Sequence, residues 1–142
     1  MAKAKGRARQ ERRLADMSTP LEVSKSDRPH RDECEVLDFD VDLLGSDDRI
    51  HVRYFLHEGR VVEFAMMQQA MVGPDEWADV VKVDCCHDEV HVHRYSSAGV
   101  QVSRTVIRPI RSLDDVETGL DEAEELIYEH WEENRRRWND GR

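Results

Sequence analysis

Nothing in this chain approaches the length of apolar sequence that a membrane span needs, and the basic N-terminus is not followed by the apolar core of a secretory signal. Those two absences predict a cytoplasmic protein with no membrane partner. Cysteine is scarce. Cys34 and the neighbours Cys85 and Cys86 form an odd set without the paired spacing of a disulfide framework or a zinc knuckle, so reduced thiols are expected. No complete motif of a well-understood enzyme class is present. Asp38, Asp40 and Asp42 lack the central glycine and closing glutamate of a calcium loop, and no glycine-rich oxyanion loop stands beside a cysteine.

What is present points to one small, highly charged domain. At 142 residues, with 37% charged and 39% hydrophobic residues, the chain is sized for a single modest core. The net charge of -10 is uneven: residues 1–13 hold six Lys/Arg against Glu11, a balance of +5, which leaves -15 for residues 14–142. So acidic a body is a poor general nucleic-acid surface. Residues 1–33, interrupted by Pro20 and Pro29, read as a disordered or partly helical basic arm. The arm is either a solubilising tail or a tip that touches nucleic acid or an acidic partner; it lacks aromatic interleaving. Residues 34–142 are expected to form a single α+β domain.

Strand periodicity begins at Leu37. Leu37, Phe39, Val41 and Leu43 alternate with Asp38, Asp40 and Asp42, and Gly45-Ser46-Asp47-Asp48 supplies a turn. Ile50, Val52, Tyr54 and Leu56 then alternate with His51, Arg53, Phe55 and His57, which places both histidines on a solvent-facing side. Glu58-Gly59 reads as a hairpin turn into a third strand from Arg60 to about Gln69, with Val62, Phe64 and Met66 on one face. Gly73-Pro74-Asp75-Glu76 breaks the pattern, and Trp77 is expected to cap the sheet before the next strand starts near Asp79. Val100 to Ile107, stopped by Pro109, is the last strand.

A helix is expected from Ser112 to about Trp138, opened by a variant capping box of Ser112 and Asp115. Leu113, Val116, Leu120, Ala123, Ile127, Trp131, Asn134 and Trp138 lie on one stripe at three-and-four spacing. The expected architecture is therefore an antiparallel sheet of five or six strands with one face covered by a long C-terminal helix. The acids of the first helical turns and the closing Arg135-Arg136-Arg137 complement the helix dipole, which accounts for that charge run without a function.

The concentrated chemistry lies between Val81 and Tyr95, where strand alternation carries three histidines and two cysteines. If Asp88-Glu89 is a two-residue turn, Cys86 faces His91, Asp84 faces His93 and Lys82 faces Tyr95. Val81, Val83, Cys85, Val90 and Val92 then form an apolar core face, and Lys82, Asp84, Cys86, His91, His93 and Tyr95 share the other, with His87 at the turn.

That polar face allows several readings. Asp84, Cys86, His91 and His93 are the donor types of a divalent-metal site such as one for zinc. Without a metal, His91 and His93 are suited to act as base and acid around a phosphate, with Lys82 or Arg94 holding its charge and Tyr95 positioning a proton. RNA suits such a site because it brings its own 2'-hydroxyl nucleophile. Cys86 as a nucleophile beside His91 is a third reading, and the solvated side of an amphipathic hairpin a fourth.

The run Val83-Asp84-Cys85-Cys86-His87-Asp88-Glu89-Val90-His91-Val92-His93-Arg94, with the acidic closing helix carrying Trp131 and Arg135-Arg136-Arg137, resembles a small uncharacterised bacterial, archaeal and phage domain. More distantly it resembles the TumE-type toxins of toxin–antitoxin systems. The resemblance spans about Leu37 to Trp138. Val83 and Asp88 stand where such families often carry an aromatic and a glycine. It implies a cytoplasmic toxin-like ribonuclease with Asp84, His87, His91 and His93 as its site, a cognate antitoxin as partner and RNA as target. A non-enzymatic metal-binding or protein-interaction module is the alternative expectation.

Overall fold

The computed structural model describes residues 28–141. Within them the chain forms six strands: β1 Glu35–Asp42, β2 Asp48–His57, β3 Arg60–Gly73, β4 Glu76–Cys86, β5 Glu89–Tyr95 and β6 Gln101–Pro109. Each pairs antiparallel with the next, so the sheet is a meander in chain order. Short left-handed turns make this possible. Glu58 and Gly59 have φ of 52° and 78°, and His87 and Asp88 have φ of 53° and 59°, the double positive-φ pattern whose twist matches the strands it joins.

Alternation divides the sheet into two faces. Ile50, Val52, Phe64, Met66, Val81, Val83, Cys85, Val90 and Val92 are buried on one of them and pack with Val116, Leu120, Ala123 and Ile127 of the first helix. That helix, α1, runs Leu113–Tyr128, and α2 follows at Trp131–Asp140. The expected single long helix is thus two helices. The stripe predicted along it is intact, but the sheet presents a polar residue, Gln68, where the second half arrives. The chain leaves the axis of α1 at Glu129-His130, and Asn134 of α2 donates to Gln68 Oε1 at 3.2 Å and to the Leu126 carbonyl at 3.1 Å. The break therefore leaves no orphan at either group.

The predicted capping box is also altered. Ser112 is the N-cap of α1, yet its hydroxyl makes no cap bond, and Asp115 reaches back to the Arg111 N–H at 2.8 Å instead. The strands run longer than the alternation suggests: β3 continues to Gly73 and β4 begins at Glu76, ahead of Trp77, which lies under the Arg49 guanidinium at 4.0 Å from its ring centre.

The other sheet face is lined by charge pairs. His51 is not simply solvent-facing: its Nε2 lies 2.9 Å from Asp38 and its Nδ1 2.5 Å from Asp40, while Arg53 and Arg49 bind the same two aspartates. The register explains this, because Asp38 and Asp40 pair opposite Arg53 and His51. The aspartate row of β1 is therefore matched to a cationic row on β2. Residues 28–33 of the expected arm lie on the sheet: Arg28 Nη1 donates to the Val62 carbonyl at 3.2 Å, and Arg31 pairs with Glu63 and stacks on Phe55. The basic tip at residues 1–13 lies outside the described residues.

Candidate functional site

The β4–β5 hairpin turns at His87-Asp88, one residue earlier than Asp88-Glu89. Every cross-strand pair consequently differs from expectation. Asp84 sits opposite His91, Lys82 opposite His93, and Cys86 opposite Glu89. The two faces survive because a shift of two in pairing restores the side-chain parity. Val81, Val83, Cys85, Val90 and Val92 are buried as the alternation requires.

On the charged face this register gathers Asp84, His91 and His93, whose donor atoms all lie within 4.8 Å of one another. His93 Nε2 is 3.1 Å from Asp84 Oδ1, and its Nδ1 is 3.0 Å from Gln101 Oε1. The other carboxylate oxygen of Asp84 is 3.4 Å from Lys82 Nζ. His91 stands tilted against His93, with ring centres 5.9 Å apart.

His91 is the unusual member. It has 0% exposure, on the sheet face that the helices do not cover. Arg104 Nη2 lies 2.9 Å from its Nε2, and Glu89 Oε1 lies 3.1 Å from the same nitrogen. One ring nitrogen cannot both accept from the guanidinium and donate to the carboxylate. Nδ1, meanwhile, has no hydrogen-bond partner among the described residues. A fully buried imidazole with one nitrogen contested and the other unpaired is a costly arrangement for a purely structural residue.

The remaining predicted residues are placed as follows. Cys86 is half-buried one step nearer the turn, outside the cluster, since it faces Glu89 rather than His91. His87 is an exposed turn residue. Tyr95 is half-buried; burial pushes its hydroxyl up, and the charges of Asp79 and Asp84 push it further. Arg94, expected to hold a phosphate charge beside the histidines, instead shares the parity of Val90 and Val92 and reaches the helices, where it donates to Asn134 Oδ1 at 3.2 Å. Parity alone signalled that placement. Sequence alternation points to neither Arg104 nor Glu89, because Arg104 sits in the unremarkable pattern of β6 and Glu89 falls in the expected turn.

Among the described residues no helix is long and apolar enough to cross a membrane. No curated protein and no solved structure matches the chain. A family model does match, over residues 25–142, and it shows that the chain belongs to the family described as a domain of unknown function, DUF7718.

Proposed function

We propose that this domain is a metal-binding module whose site is Asp84, His91 and His93. The observation that carries the reading is the convergence of two imidazoles and a carboxylate within 4.8 Å, one of the imidazoles fully buried with an unpaired Nδ1. Two histidines and one carboxylate are a recurrent set for zinc or ferrous iron that leaves a coordination position open. A tetrahedral zinc site with bonds of about 2.1 Å needs donors about 3.4 Å apart. The side chains must therefore close in on an ion, with Lys82 3.4 Å from Asp84 Oδ2, the oxygen opposite the one that meets His93. Residual exposure at Asp84 and His93 gives the ion a path from solvent.

A second reading, a toxin-like ribonuclease held in check by an antitoxin, is favoured by one specific feature: Lys82 and Arg104 flank the histidine pair with fixed positive charge, as a phosphodiester requires. The complete burial of His91 counts against it, since a general acid or base must reach its substrate.

Metal analysis of natively purified protein, followed by calorimetric titration with zinc and ferrous iron, separates the readings. A bound or titratable ion, lost in Asp84→Ala and His93→Ala, supports the module. Protein that neither holds nor takes up a divalent ion overturns it. RNA cleavage that persists in chelator, disappears in His93→Ala, and accompanies growth arrest on expression without a partner supports the ribonuclease.

A further inference from the structure

On the opposite side of the sheet from Asp84, a cleft of about 440 Å³ opens between the two helices and the outer strands. Its volume is in the range of small-molecule sites. Arg94, Asn134, Glu133 and Arg137 line one part of it, Ile107 and Leu126 are its apolar lining, and Glu122, Glu125 and His130 complete the rim. The distribution of charge is its distinctive property.

Arg94 is half-buried, and the partner its guanidinium has is a neutral one, the Asn134 side-chain oxygen; no carboxylate among the described residues pairs with it. Burial lowers its pKa and the neighbouring charge of Arg137 lowers it further, while the carboxylate of Glu133 offsets part of this without forming an ion pair with it. A guanidinium offers five donors, so most of Arg94's capacity is unspent. Arg137 is engaged by Glu133 at 2.9 Å, and Glu122 by Arg108 at 2.9 Å. Glu125, by contrast, is exposed and has no side-chain partner among the described residues. Among the described residues the cleft therefore holds one half-buried guanidinium without a direct ion pair and one carboxylate without a side-chain partner, with apolar surface alongside.

A simple anion would meet Glu125 and Glu122, and a simple cation would meet Arg94 and Arg137. A molecule carrying both charges on an apolar body meets neither objection. We propose that this cleft binds a small zwitterion of the amino-acid or dipeptide class, its carboxylate on Arg94, its ammonium toward Glu125 and its apolar side chain against Ile107 and Leu126. The site is independent of the metal-binding reading, because its residues are on the other sheet face.

The test is a titration of isotope-labelled protein with L-leucine and L-leucyl-L-leucine, followed by NMR, including the arginine side-chain signals. Saturable shifts centred on Arg94, Ile107 and Leu126 are expected. Leucinamide, which lacks the carboxylate, and N-acetyl-leucine, which lacks the ammonium, should each bind at least about tenfold more weakly, as expected for the loss of a charge-assisted contact. Arg94→Gln should abolish binding. Because Arg94 also supports Asn134, Glu125→Gln on the exposed helix surface gives the cleaner variant, and it should weaken the zwitterion while leaving N-acetyl-leucine unaffected. Absence of saturable binding by either zwitterion overturns the proposal, as does equal binding of the blocked analogues. Binding of inorganic phosphate in preference to both zwitterions overturns it too and marks a bare anion site.

Discussion

Gln68, in the middle of the sheet, and Asn134, in the second helix, meet through their amides at 3.2 Å with both side chains buried. Each is saturated by further partners: Gln68 Nε2 donates to Asp48 and to the Trp131 carbonyl, both at 2.9 Å, and Asn134 accepts from Arg94. Arg135 completes the group by pairing with buried Asp48. This network, rather than apolar contact alone, docks α2. Asn134→Leu keeps the branched shape but orphans Gln68 Oε1 and the Leu126 carbonyl, so it is expected to destabilise by about 2–4 kcal/mol. Urea denaturation of both single variants and of the Gln68→Leu/Asn134→Leu double should show strong non-additivity, since the double removes both partners of the amide pair.

Close approach of helix and sheet makes a second prediction. An added Cβ at Gly119 would lie 2.8 Å from Val90 Cγ2. Glycine to alanine inside a helix ordinarily stabilises by about 1 kcal/mol. Here the contact is with a buried β-branched side chain that has little room to move, and overpacking of that kind costs about 1–3 kcal/mol. Gly119→Ala is therefore expected to lower the melting temperature. The same change in a Val90→Ala background should be neutral or stabilising, and a thermal melt of the four proteins checks it.

The same physics sets what could be read from sequence. Alternation assigned the apolar residues of β4 and β5 to one face, because parity is a property of single residues. It could not fix which residues face one another: sliding the β4–β5 pairing by two leaves every side chain on its own face. Neither Asp88-Glu89 nor His87-Asp88 carries the glycine that would mark a left-handed turn. The contacts of His91 with Arg104 and Glu89 depended on that register and on long side chains, so they were out of reach. The break between α1 and α2 did leave a trace. Gln68 follows Val62, Phe64 and Met66 at core parity, and Asn134 sits in the helical apolar stripe. Two polar residues at core positions on different elements were the signal that they meet.

The turn position can be tested by stability. His87 is exposed and held at φ 53°, where a side chain is strained and glycine is not. His87→Gly should raise the melting temperature, worth about 1 kcal/mol. Glu89→Gly should lower it, because Glu89 is a strand residue opposite Cys86 and contacts His91. A turn at Asp88-Glu89 gives the opposite result for Glu89→Gly, so differential scanning calorimetry of the two variants decides the register.

Cys85 provides a pH-dependent prediction. Its thiol is on the core face with 6% exposure, and burial pushes its pKa from 9.0 up to about 12. Burial disfavours the thiolate, so the folded protein holds this proton more tightly than the unfolded chain does. The sign follows: the contribution is fully present below the unfolded pKa and is lost as pH rises from about 9 through about 12. Each pH unit between the two values is worth about 1.4 kcal/mol, so the loss amounts to a few kcal/mol. Urea midpoints measured from neutral to strongly alkaline pH should fall, and fall less steeply in Cys85→Val, which removes the titrating group and keeps the apolar volume. Tyr54, its hydroxyl also pushed up to about 12 by burial, adds to the slope in both proteins. In the folded protein near pH 8 Cys85 should resist alkylation and react once urea exposes it, because the nucleophile is the thiolate that burial suppresses. Rapid alkylation of Cys85 in the native state would place it outside the core, against the alternation that buries it with Val81 and Val83 on one face of β4.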